Sequence, residues 1–203
     1  MQSDNNRLIT ISRVVSVLGH PLLTAAAFVL FVSFTRFNGA KALVSSVVVI
    51  GLVILPIVAW NYRNTRQGRY SNFDVSVRSQ RHSFYGVSIA LLLLATLVLW
   101  LTGQPPALCC GMAFALLLVV LSGLVNRYIK ASLHTSVSVF LSLALLTMHP
   151  VAGAVLLGFS GVVAGSRLVL KRHTPPEIAA GALIGLATGG GLHFFMKHVA
   201  SWG

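Results

Sequence analysis

The chain has 203 residues, 56% of them hydrophobic and only 9% charged, with 15 Lys and Arg against 3 Asp and Glu and a net charge of +12. A mean hydropathy of +0.84, with a charged fraction far below the roughly 25% of soluble domains, excludes a soluble globular domain carrying one anchor and indicates an integral membrane protein. The basicity points to anionic lipid headgroups and phosphates; nucleic acid is not expected as a partner, because no basic domain lies outside the apolar segments.

A membrane span needs about 20 apolar residues. Seven segments are candidates: 14–35, 42–60, 84–102, 106–126, 135–148, 151–167 and 177–196. The predicted fold class is therefore all-α, a polytopic transmembrane helical bundle of about six or seven spans, read as one membrane-embedded domain over 1–203. The first segment has signal-peptide features in Arg7, Arg13 and Ala25-Ala26-Ala27, but its apolar run continues through Phe34, so it reads as a retained span. Between the first two spans and the third, residues 61–83 form the longest polar stretch, read as a short amphipathic segment. Cys109 and Cys110 are neighbours inside the fourth span and carry neither disulfide nor metal spacing. The fifth span is short, which suggests a tilted or partly re-entrant segment. The last carries Gly181, Gly185 and Gly189 at four-residue spacing, a small-residue stripe suited to close helix contact in lipid.

The turns at Asn38-Gly39, Gly103-Gln104-Pro105-Pro106 and His149-Pro150 carry few charges, whereas loops 61–82, 127–134 and 166–175 are crowded with Arg, Lys and His. Two spans separate the first crowded loop from the second, and two more separate the second from the third, so counting places all three on one side. That side, with the N-terminus, holds 12 of the 15 cations; Arg36, Lys41 and Lys197 lie opposite. The positive-inside rule puts the crowded side in the cytoplasm, and the expected location is a bacterial inner membrane.

The third crowded loop holds the most informative string, Ser166-Arg167-Leu168-Val169-Leu170-Lys171-Arg172-His173-Thr174-Pro175-Pro176-Glu177. Asp4, Asp74 and Glu177 are the chain's carboxylates, and Glu177 lies four residues after a histidine. Thr174-Pro-Pro-Glu177 has the form of a capping box, with Thr at the N-cap, Pro in the first helical positions and Glu at N3. Glu177 also stands one helical turn from His173, where it would accept the imidazole proton and leave the other nitrogen nucleophilic. In the second crowded loop, Lys130, Ser132 and His134 form a candidate set, with His134 as proton donor. In the first, Asp74 precedes Arg78 and Arg81, which at i and i+3 would share a helix face.

Together these residues resemble the type 2 phosphatidic acid phosphatase superfamily, which also contains the vanadium haloperoxidases. Its signature reads Lys-x6-Arg-Pro, Pro-Ser-Gly-His and Ser-Arg-x5-His-x3-Asp. The third part matches at Ser166, Arg167 and His173, with Glu177 where Asp is expected; the second matches at Ser132 and His134, with Ala131 and Leu133 replacing Pro and Gly. In the first, Arg81 fits, while His82 stands for Pro and Asp74 for Lys. The resemblance covers 74–177, roughly half the chain.

The resemblance implies a membrane-embedded lipid phosphate phosphatase. His173 would attack phosphorus and become a phosphohistidine, Glu177 would orient it, and His134 would protonate the leaving group. Arg81, Arg167, Ser132 and Ser166 would hold the nonbridging oxygens, with Arg78 or Lys130 standing in for the lost first-motif Lys. The implied substrate is a membrane lipid phosphate: phosphatidate, phosphatidylglycerophosphate or a polyprenyl pyrophosphate. No cofactor and no metal are implied, because guanidinium groups neutralise the charge spread over the transferring phosphoryl oxygens and the chain is poor in the carboxylates that Mg²⁺ sites use. The alternative readings are a small anion or lipid transporter and a catalytically inactive relative; against transport, the spans carry almost no intramembrane charge.

Overall fold

In the computed structural model the backbone is described over residues 2–198 and the side chains over 5–198. The described residues form eight helices and no strand: α1 (Gln2–Leu18), α2 (Pro21–Arg36), α3 (Gly39–Arg66), α4 (Arg81–Leu101), α5 (Pro106–Val125), α6 (Leu133–Met148), α7 (Pro150–Val169) and α8 (Pro175–His198). Five of them, α3, α4, α5, α7 and α8, are long and apolar enough to cross a membrane; α1 and α2 add a sixth span if they count as one bent pair. The chain is an all-α polytopic bundle, as its hydropathy indicates.

The first expected span, 14–35, is not one helix. It breaks at Gly19-His20. Pro21 has no N–H to donate to the carbonyl of Val17, and its ring crowds that carbonyl. The N–H of His20 takes the Val17 carbonyl instead, at 3.1 Å in a tighter three-residue turn. Pro21 then opens α2, where its fixed φ and missing N–H cost nothing.

Two compact units make up the chain, one of residues up to Thr24 together with those from Tyr128 onward, the other Ala25–Arg127. In the first unit α6 is the central element. It packs against both α7 and α8, while α1 packs on α7. This explains the short fifth span. At 16 residues α6 is about 24 Å long, less than a bilayer core of about 30 Å, yet ten of its residues are buried among its neighbours. The glycine stripe supplies the close approach. A Cβ on Gly181 would lie 2.5 Å from the Ser132 carbonyl oxygen, and one on Gly185 would lie 2.5 Å from that of Ser136. Polar side chains stitch the same helices, Ser142 Oγ to Ser160 Oγ at 3.1 Å and Thr147 Oγ1 to His193 Nδ1 at 3.0 Å.

In the second unit α4 and α5 form a helical hairpin and α3 packs on α4. α3 contains one π-helical stretch, Ile50–Ile54, just ahead of Pro56. Pro56 donates no backbone hydrogen bond, and the widened turn moves the carbonyl four residues back out of its ring's way. The polar stretch 61–83 is not a continuous amphipathic segment. α3 runs on to Arg66, a loop of turns follows, and α4 starts at Arg81. The loop is fastened to the end of α3: Trp60 Nε1 donates to Tyr70 Oη at 3.0 Å, and Asn61 Nδ2 donates to the Phe73 carbonyl at 3.3 Å.

Candidate active site

The end of α7 and the start of α8 hold the string singled out above. Ser166 and Arg167 form the last turn of α7. The helix then closes in a Schellman motif: the Lys171 N–H donates to the Leu168 carbonyl at 2.9 Å, and the Arg172 N–H donates to the Arg167 carbonyl at 3.0 Å. Lys171, at φ +51°, takes the left-handed position usually given to glycine. That reversal carries the chain to His173, whose N–H also donates to the Arg167 carbonyl at 3.3 Å, and then to Thr174 as cap of α8.

Glu177 makes both of the contacts read from the sequence. Its Oε2 accepts the Thr174 N–H at 3.1 Å, the return arm of a capping box, and lies 2.9 Å from His173 Nδ1. A carboxylate only accepts, so the His173 ring donates to it through Nδ1. The His173 ring is buried, which holds it in this orientation.

The second motif is drawn to the third. The Ser132 N–H donates to the Glu177 carbonyl at 3.0 Å. Lys130 Nζ donates to the Arg172 carbonyl at 2.8 Å and lies 3.8 Å from Glu177 Oε2. Ser132 is the N-cap of α6, its Oγ accepting from Thr135 N at 3.4 Å and from Thr135 Oγ1 at 3.1 Å. His134 follows in the first turn of α6, buried, with its ring edge-to-face against His20 at 5.2 Å between centroids.

Two expected phosphate ligands have structural engagements of their own. Ser166 Oγ donates to the Val163 carbonyl at 2.6 Å, and the buried Arg167 guanidinium donates through Nη1 to Ser16 Oγ on α1. Arg78 and Arg81 belong to the second unit. They do not share a helix face, because Arg78 lies in the loop before α4. Its Nη2 donates to the Arg127 carbonyl at 2.8 Å, whereas the buried Arg81 turns back to donate through Nε to the Val75 carbonyl at 2.9 Å. Within that unit, the Arg78–Arg127 bond joins the first crowded loop to the start of the second.

His20 and Ser16 are absent from the residues singled out in the sequence. The sequence signal for the first was Leu18-Gly19-His20-Pro21, a helix-breaking string inside an apolar run. Nothing local to Ser16 announces a bond to a residue 151 positions away.

The arrangement on this end of the first unit provides an oriented imidazole, a second buried imidazole, and an ammonium held beside the carboxylate. An oriented imidazole can act chemically as a nucleophile or base, and a second imidazole as a proton donor. No protein-family model, curated protein or solved structure matches this chain.

Proposed function

We propose that the protein is a metal-independent lipid phosphatase that works through a phosphohistidine, in the manner of the type 2 phosphatidic acid phosphatases. The observation that carries the reading is the 2.9 Å contact between His173 Nδ1 and Glu177 Oε2; with the shared proton on Nδ1, the neutral ring offers Nε2 as the nucleophile. Nε2 attacks phosphorus; a P–N bond forms, the P–O bond to the lipid breaks, and the leaving oxygen takes a proton from His134. Water then attacks the phosphohistidine, giving up a proton to His134, and inorganic phosphate leaves as the P–N bond breaks. Lys130, Arg167 and the first turn of α6 supply positive charge and donors for the phosphoryl oxygens. A lipid phosphate is the favoured substrate class, because its chains stay in the bilayer while its headgroup reaches the loops. The proposed setting is a bacterial inner membrane, and the charge asymmetry of the loops supports a cytoplasmic-facing site.

Inorganic phosphate release in detergent with EDTA tests the reading, on phosphatidate, phosphatidylglycerophosphate and undecaprenyl pyrophosphate. Release by the wild type that survives EDTA and disappears in His173→Ala is expected. No release from any of the three by folded protein overturns the reading.

A further inference from the structure

The broken N-terminal helix reaches the same end of the first unit through three contacts. Ser16 Oγ accepts the Arg167 guanidinium. Gly19 is seated so closely on α7 that an added Cβ would lie 2.4 Å from Val163 Cγ2. His20 sets its ring against that of His134, with centroids 5.2 Å apart and planes at 85°. The first and last of these engage residues of the third and second motifs, and the second sits one turn from Ser166.

His20 is held from its other side by the backbone. Its Nδ1 accepts the Leu22 N–H at 3.3 Å, so the imidazole acts as the cap of α2. A nitrogen that accepts carries no proton, and the neutral ring then has its N–H at Nε2. The break is what permits this. In a continuous helix residue 20 would have helical φ and ψ, and its side chain would lean back over the preceding turn. Pro21 ends that geometry, and the ring turns to His134.

We propose that His20 is a positioning residue for His134. It forms a wall, pinned by the helix break, that holds the His134 ring at the angle from which the ring delivers its proton to the leaving oxygen. This rests on the phosphatase reading above. It adds the α1–α2 break, outside all three motifs, to the parts that set the rate of the first chemical step.

The test uses His20→Asn, whose side-chain oxygen can still accept the Leu22 N–H, so the cap survives while the ring is lost. Wild type, His20→Asn, His134→Ala and the double variant are compared as full-length protein in detergent with EDTA, on the same three lipids. His20→Asn is expected to lower kcat about tenfold or more, with KM within about twofold and an unchanged melting temperature, part of the range general acid catalysis spans. In the His134→Ala background the substitution should cost nothing further, because a positioned group that is gone needs no positioning. If His134→Ala falls below detection, the split between kcat and KM decides alone. Additive losses, a change in KM alone, or no change overturn the role of His20 and leave the phosphatase reading standing. Absence of release by the wild type overturns that reading, and the role of His20 with it.

Discussion

The backbone N–H of Ser132 donates to the carbonyl of Glu177 at 3.0 Å, so the cap of α6 and the first turn of α8 are one hydrogen-bonded unit. Gly181, one turn further along α8, lies over the carbonyl of the same Ser132 with no room for a side chain. Two loops separated by a helical hairpin are thereby fixed against each other through backbone atoms, the least deformable part of the chain. Lys130 reinforces the junction from the side by donating to the Arg172 carbonyl.

On the phosphatase reading, the two contacts of Glu177 have separable effects. Glu177→Gln keeps an oxygen for the Thr174 N–H but loses the charge that stabilises an imidazolium at His173. Its melting temperature should stay near that of the wild type, while kcat falls on the order of 10² or more. Parallel phosphate-release and thermal-unfolding measurements check this; an equal loss of both would leave Glu177 as a cap alone. Glu177→Asp shortens the reach to His173 Nδ1 by one methylene and should fall between the two.

Gly185 and Gly190 stand on the same helix in opposite surroundings. A Cβ at Gly185 meets Ser136 O at 2.5 Å and Val139 Cβ at 2.9 Å, whereas nothing lies within 4 Å of one at Gly190. Gly185→Ala should destabilise by about 1–3 kcal/mol through overpacking. Gly190→Ala should be neutral or slightly stabilising. Thermal unfolding of the two variants in one detergent distinguishes helix contact at Gly185 from a general need for glycine in α8.

Lys171 pays for the reversal between α7 and α8 with φ +51°. Lys171→Gly removes the left-handed penalty, of about 1–2 kcal/mol, while adding the chain entropy of glycine, about 0.5–1 kcal/mol. A net gain of about 0.5–1 kcal/mol is expected, read as a higher melting temperature; a loss would mean that the Lys171 side chain makes a stabilising contact larger than the strain.

Arg81 is expected to brace the loop ahead of α4. Val75, which is β-branched, sits at φ +48° with its carbonyl held by the buried Arg81 Nε. Arg81→Met leaves that carbonyl without this donor and should cost about 1–3 kcal/mol. Limited proteolysis within residues 67–80 should become faster. Unchanged proteolysis would show that the loop's other bonds, among them those from Trp60 and Asn61 and that between Ser71 N and Gln80 Oε1, hold it without Arg81.

Much of the candidate site was readable in one dimension because it is built from neighbours. The Thr174–Glu177 cap and the His173–Glu177 pair each lie within one helical turn, and a spacing of three or four residues states a contact directly. Arg78 and Arg81 show the limit of that inference. The same i, i+3 spacing predicts a shared face only if a helix is present, and the loop ends the geometry before Arg81 begins it.

By itself the sequence determined the all-α membrane-spanning class, the helix ends at most of the spans, the glycine stripe and the order of the motif from Ser166 to Glu177. Each of these follows from hydropathy or from interactions between residues within one or two turns. The tertiary structure alone decided that the short α6 lies at the centre of its unit, that Lys130 reaches Arg172, that Ser16 meets Arg167 and that His20 lies against His134. These pairs are separated by long stretches of chain. Their contacts depend on which helix faces pack together, and the packing energy that selects those faces is summed over many side chains rather than carried in any local string.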